Sequence, residues 1–243
     1  MNKKILVIGE IGHNHCGSIR TAKLMIDELK SCGCDIAKFQ AYDTDKIKKP
    51  WQSRYMELKC SEPNFEELKE LKEYCDKIGI EFMASAFDVE RVKWLEKLGV
   101  KRHKLASRSI NDKELIKAME ATGKPIIVSL GKLKPQRVGE QWVWNIPKIK
   151  NAEFLYCISE YPAYITNEMF PSKFDGSGMT GFSDHSIGMY WAREAVKRGA
   201  TIIEKHFTLS HELPGHDQKG SAEPWEMKDF VTYVRQIERG IQY

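Results

Sequence analysis

The chain has 243 residues, 42% of them hydrophobic and 30% charged, enough for one large core or two small ones. Its 38 basic and 34 acidic residues are interspersed and leave a formal charge of only +4, which gives no support to nucleic-acid binding but suits an anionic small substrate. Cys16, Cys32, Cys34, Cys60, Cys75 and Cys157 form no C-x-x-C pair, and the opening apolar run is broken by Glu10 and His13, so neither a secreted disulfide scaffold nor a membrane span is expected, and a cytoplasmic location is.

Apolar runs of strand length recur along the chain. They begin with "ILVIGE" at 5–10 and "IAKFQ" at 36–40, and continue with "EFMASAF" at 81–87 and "RHKLAS" at 102–107. "PIIVSL" at 125–130, "EFLYCIS" at 153–159, "GMTGFSD" at 178–184 and "TIIEKHF" at 201–207 complete the set. Segments with helical period lie between most of them, at 21–32, 64–79, 89–99, 113–123 and 189–200, several closed by a glycine suited to a C-cap. Strands alternating with helices predict βαβ units, and eight of them in this length predict an α/β fold, a (β/α)8 TIM barrel forming a single domain over 1–243. Residues 132–150, "KLKPQRVGEQWVWNIPKIK", carry two prolines, two tryptophans and no helical period, so a loop is expected in place of the fifth helix.

In such a barrel the active site lies at the C-terminal ends of the strands. Reading only those positions gives Glu10, Lys38, Gln40, Ser85, Lys104, Ser107, Ser129, Ser159, Tyr161, Ser183, His185, Glu204 and His206. Buried lysines need anions nearby, so Lys38 and Lys104 among serine hydroxyls suggest a pocket for a phosphate or carboxylate. His185 and His206 end adjacent strands; they fit either two hydrogen-bonded structural histidines or a pair sharing one divalent cation with open positions. Glu10 fits either a structural partner for Lys38 or a group that positions or deprotonates a water or hydroxyl.

The motifs "GEIGHNHCGS", "AKFQ", "KLAS", "SEYPA", "FSDHSIG", "EKHFTL" and "LPGHDQKGS" occur in an order and spacing that resembles the sialic acid synthase family. The resemblance runs from Glu10 to about Glu223. It implies a transferase that condenses phosphoenolpyruvate (PEP) with an N-acetylated aldose such as N-acetylmannosamine, giving a sialic-acid-like 2-keto sugar acid and phosphate. It further implies a divalent manganese or magnesium ion on His185 and His206, and a homodimer. Lys38, Ser85, Lys104, Ser107, Ser159 and Ser183 would hold PEP, with Glu10, Gln40, Tyr161 and Asp217 around the sugar.

The family's barrel is followed by an antifreeze-like domain that the sequence does not show, so a separate antifreeze-like partner protein is a further expectation. Arg108 in "KLASRS" stands where the family has a small residue, and Gln218 where it often has histidine. Two other readings follow from these features: a catalytically impaired barrel acting as a sugar- or PEP-binding partner subunit, and a metal-dependent barrel hydrolase prompted by His13, His15 and Lys104. For the hydrolase, the strands ending near "VSLGK" and "CISEYP" lack the further histidines it would need. His13 and His15 are expected mainly to shape the first loop.

Overall fold

The computed structural model describes residues 4–138, 141–174 and 176–241. Strands β1 (Leu6–Gly12), β2 (Ile36–Ala41), β3 (Glu81–Ala86), β4 (His103–Leu105) and β5 (Ile126–Ser129) are followed by a hairpin, β6 (Gln136–Val138) with β7 (Gln141–Val143). The chain continues through β8 (Ala152–Cys157), β9 (Gly181–Asp184) and β10 (Ile202–His206). Eight of these close a parallel barrel in the order β1-β10-β9-β8-β5-β4-β3-β2, so all eight strands expected from the sequence form and the predicted fold holds.

Helices α1 (Ile19–Cys32), α4 (Phe65–Ile78), α5 (Val89–Lys97), α6 (Lys113–Ala121), α7 (Tyr190–Lys197) and α8 (Pro224–Glu238) pack outside. Each of the first four starts where a short polar side chain caps the free backbone N–H groups: Ser18, Asn64, Asp88 and Asp112 accept from the backbone three residues on. Two short helices, α2 (Thr44–Ile47) and α3 (Tyr55–Cys60), lie in the β2–α4 connection; at four and six residues they are too short to leave a periodic signal.

Side-chain alternation divides the strands. Val7, Phe39, Phe82, Val128, Tyr156, Phe182 and Ile203 face outward and join Ile26, Leu29, Leu68, Leu71 and Leu95 of the helices in the main core. Ile8, Ile36, Met83, Ile127, Leu155 and Ile202 face inward and plug the barrel. Each such burial contributes roughly 1.5–3 kcal/mol relative to exposure. Gly181 completes this plug by its lack of a side chain: a Cβ there would lie 2.1 Å from the Ile202 carbonyl oxygen.

Where a loop was expected over 132–150, the chain makes the β6–β7 hairpin, with Gln136 opposite Val143 and Val138 opposite Gln141; Gly139 and Glu140, between its strands, lie outside the described residues. The described residues between β8 and β9 form no helix either, and rings cover this wall of the barrel instead. Tyr156 meets Trp144, Phe170 and Phe182 at 5.3 to 5.7 Å between centroids, and Phe170 meets Trp191 at 4.8 Å. All six cysteines are free thiols.

Candidate active site

Two residues beyond the apolar plug, the same inward-facing alternation turns polar. The β1–β2 register, regular through Glu10 opposite Lys38, slips at the next step so that Gly12 pairs with Phe39; the bulge sits beside Glu10 and bends the strand end at the mouth. Lys38 Nζ is 2.5 Å from Glu10 Oε2, 3.7 Å from Glu204 Oε2, and donates to Ser85 Oγ at 3.1 Å. Lys104 Nζ donates to Ser129 Oγ at 2.7 Å and stands 3.9 Å from Glu204 Oε1, which also accepts from Ser183 Oγ at 3.0 Å. All four charged groups are buried.

Their charge states follow from this box. Burial raises Glu10 above the usual carboxylate range despite Lys38 beside it. Burial also pushes Glu204 upward, but Lys104 and Lys38 outweigh it and hold it low. Lys38 loses stability as a cation by burial and regains more from Glu10 and Glu204, ending above its ordinary value, whereas Lys104 is left below it. Two carboxylates and two ammonium groups thus occupy one buried layer, with Glu10 the member closest to carrying a proton.

Beyond β5, Gly131 brings three side chains together. A Cβ on it would meet Ser159 Oγ at 2.4 Å, Cys157 Sγ at 2.8 Å and Ser107 Oγ at 3.0 Å, and its N–H donates to Ser107 Oγ at 3.0 Å. The result is a cradle of hydroxyls beside Lys104, suited to anionic oxygens.

His185 and His206 face this cradle from β9 and β10 with ring centroids 5.5 Å apart. His185 Nδ1 lies 2.7 Å from the Ile158 carbonyl oxygen; a carbonyl can only accept, so Nδ1 carries the hydrogen and Nε2 presents its lone pair to the cleft, 3.1 Å from Tyr161 OH. Burial pulls His185 down, but Cys157 and the Ile158 carbonyl outweigh it and hold the ring above its ordinary value. Burial and then His185 drive His206 well below, so it is neutral, and its buried Nδ1 has no hydrogen-bond partner among the described residues. An oriented imidazole and a neutral one with an orphaned nitrogen fit a shared divalent cation. Among the described residues no group of three or more His, Cys, Asp and Glu side chains could hold a metal, so further ligands would be water or substrate oxygens.

The mouth is tied by charge. Arg54 reaches His13 Nε2 at 2.9 Å, both carboxylate oxygens of Glu57 at 3.1 and 3.2 Å, and Asp217 Oδ1 at 3.4 Å, while Glu57 accepts the His216 N–H at 3.1 Å. Loops after β1, β2 and β10 are thereby joined over a cleft of about 250 Å³.

The NeuB family profile matches residues 25–242. The chain belongs to the NeuB family. Among curated NeuB relatives, the N,N'-diacetyllegionaminic acid synthase of Campylobacter jejuni is 33% identical over 98% of this chain and 78% of its own length. The N-acetylneuraminate-9-phosphate synthase of Mus musculus is 31% identical over 97% of this chain and 70% of its own. The sialic acid synthetase of Leptospira borgpetersenii, solved in complex with citrate, superposes with a TM-score of 0.86 at 30% identity, covering 100% of this chain and 86% of that one. Among the described residues no helix is long and apolar enough to cross a membrane.

In this NeuB chain all twelve residues given a role from the sequence, Glu10, Lys38, Gln40, Ser85, Lys104, Ser107, Ser159, Tyr161, Ser183, His185, His206 and Asp217, line the one cleft, as do Ser129 and Glu204. Sequence reasoning gave no role to Glu204, the counter-ion between both lysines, or to Arg54, which lies in a loop and meets Asp217 only through the fold. His13, expected mainly to shape the first loop, also lines the cleft, its Nε2 3.5 Å from Asp217 Oδ2. His15 does turn away, buried edge-on against Phe39 with centroids 6.0 Å apart. Arg108 lines the cleft, 5.7 Å over the Phe87 ring.

Proposed function

We propose that the protein condenses phosphoenolpyruvate with an N-acetylated aldose related to N-acetylmannosamine, forming a 2-keto sugar acid and inorganic phosphate. The observation that carries this reading is the union, in one cleft of a NeuB-family barrel, of a lysine–serine anion cradle with a histidine pair, one ring oriented by a carbonyl and the other with an orphaned nitrogen. Relatives named as legionaminic, pseudaminic and N-acetylneuraminate-9-phosphate synthases support it.

In this reaction the methylene carbon of PEP bonds to the carbonyl carbon of the open-chain aldose, water adds at the second carbon of PEP, and phosphate leaves. Lys38 and Lys104 offset the charge of PEP, Ser85, Ser107, Ser129 and Ser159 donate to its oxygens, and Ser183, whose hydrogen goes to Glu204, holds that counter-ion in place. Glu10, held between Lys38 and the Gln40 amide, which donates to its Oε1 at 2.9 Å, is placed to take or give the proton of the attacking water or of a sugar hydroxyl. Tyr161 and Asp217 face the acceptor side. A divalent ion, manganese or magnesium, on His185 and His206 would supply Lewis-acid polarisation of the acceptor carbonyl oxygen. The hydrolase reading loses its motif, because His15 points into the core rather than the cleft.

The test is phosphate release from PEP by the manganese-loaded protein with and without N-acetylmannosamine and related N-acetylated aldoses. Acceptor-dependent release that stops with chelator is expected. PEP binding with no release across the panel would replace this reading with that of a binding partner subunit.

A further inference from the structure

Behind the two cleft histidines, on the outer face of the barrel, lies a charged pair that the proposed reaction does not use. Lys205 and Asp184 stand opposite each other in the β9–β10 register, one residue before His206 and one before His185. Strand alternation sends them outward with Ile203 and Phe182, while the histidines turn inward. Helix α7 packs against both strands, and each of the two charged residues is only 1% exposed. Lys205 Nζ is 3.2 Å from Asp184 Oδ2. A buried ion pair adds little net stability over an apolar pair of the same size, because desolvation of two charges costs about what their attraction returns; what it can impose is direction.

The direction here runs to both histidines. Asp184 Oδ1 accepts the Ser186 N–H at 2.8 Å and the Ser186 hydroxyl at 2.6 Å, closing a turn around His185. Lys205 Nζ donates to Asp184 Oδ2 and to the Ser186 carbonyl, so both sides of that turn hang from one ammonium group. The His185 carbonyl accepts the Ala163 N–H at 2.9 Å, and its ring is bonded to the Ile158 carbonyl. His206 has less to hold it. Its buried Nδ1 has no hydrogen-bond partner among the described residues, so its place follows from the Tyr161 ring, 5.7 Å away between centroids, and from the backbone on either side. The Ala222 N–H holds the His206 carbonyl at 2.7 Å, and the residue before it is Lys205 itself. One ammonium group thus couples the strand that carries His206 to the turn that carries His185.

We propose that the Lys205–Asp184 pair is a positioning device that fixes the spacing and facing of His185 and His206, and through them the affinity of the site for a divalent cation. The second half rests on the reading of the two histidines as metal ligands; the first half does not.

Two variants of the full chain test it. Lys205→Met keeps the length of the side chain but leaves Asp184 buried without its counter-charge, so stability and manganese affinity should fall together. Adding Asp184→Asn removes the stranded charge, while the amide oxygen can still accept the Ser186 N–H, so the metal-free double variant is expected to recover most of the parent's urea midpoint. Its manganese affinity by calorimetry should nonetheless stay about ten- to hundredfold below the parent's, the usual cost of losing a group that orients a ligand. Affinity that returns to within twofold of the parent as stability returns would show that the pair serves the fold alone, and overturns the proposal.

The second measurement needs no metal. In protein labelled with 15N at histidine, the His185 Nδ1–H bonded to the Ile158 carbonyl should give a slowly exchanging imidazole proton, identified by its loss in His185→Ala. In both variants its exchange should quicken about tenfold or more. Unchanged exchange overturns the proposal. A parent that binds no manganese would refute the ligand reading, and the exchange rate would then decide the role of the pair by itself.

Discussion

Replacing Gly131 with alanine separates the cradle from the fold. The backbone of Gly131 lies outside the left-handed region, so alanine introduces no φ strain. The added methyl instead meets Ser159 Oγ at 2.4 Å and Cys157 Sγ at 2.8 Å, with Ser107 Oγ at 3.0 Å. The closest hydroxyl must retreat about 1 Å to reach ordinary van der Waals contact. All three atoms are the ends of short side chains that can rotate about χ1, so the cost to stability belongs at the low end for overpacking, about 1 kcal/mol. The rotation carries the hydroxyls away from the anion, and a hydrogen bond to a charged group contributes about 1.5–3 kcal/mol. Loss of one or both donors predicts a rise in KM for PEP of about ten- to hundredfold, while the urea midpoint barely moves. Steady-state phosphate release and a urea titration read the two effects. A variant with KM for PEP within twofold of the parent, at unchanged kcat, would show that these hydroxyls hold no substrate oxygen.

Gly181→Ala should fail differently. Its Cβ meets the backbone oxygen of Ile202 at 2.1 Å, which no rotamer can relieve, so the β9–β10 ladder must part; a loss of about 3 kcal/mol in chemical denaturation is expected, and a loss below about 1 kcal/mol would contradict the close approach. His206→Ala should abolish tight manganese binding in calorimetry, and because His185 is held above its ordinary value, manganese affinity in the parent should also fall on acidification as a proton competes for Nε2. Unchanged manganese affinity in His206→Ala would remove the ligand assignment. Burial, then His13, depresses His15 from 6.5 to about 4. The unfolded chain therefore takes up a proton that the native state refuses as pH falls from 6.5 toward 4, costing about 3 kcal/mol across that window. A His15→Leu variant should lose that part of the slope of stability against pH, and an unaltered slope would assign the pH dependence to other groups.

The barrel was legible because each inward or outward strand position is nearly all apolar until its C-terminal end, where the polarity changes within two residues, as from Ile36 to Lys38 or Ile202 to Glu204. That change also exposed the cleft residues at the strand ends, whereas Asp217, in the loop after β10, came from the family resemblance alone. The hairpin was not legible: three-residue strands such as Gln136–Val138 give too little alternation to separate from a loop. Short helices α2 and α3 failed for the same reason, and with α3 went Arg54 and Glu57, whose partners His13, His216 and Asp217 are remote in sequence. Glu204 was visible as a strand-end residue, but its service to two lysines at once depends on barrel closure, which brings β2 and β4 within reach of β10.

The ring-covered wall bears on how the barrel breathes. Around most of the circumference a helix backed by its own hydrogen-bonded turns lies over each pair of strands, and it must detach before water reaches the ladder. Beside β8 and β9 the cover over Tyr156 of β8 is a patchwork of single rings, Trp144 and Phe170 carried on chain with few internal bonds, with Trp191 of α7 against Phe170. Each tile can lift without its neighbours, so this is the seam where sub-global opening begins. Amide hydrogens of β8 should exchange with solvent before those of β2 and β3, with Trp144 and Trp191 as built-in fluorescent reporters of the first gap.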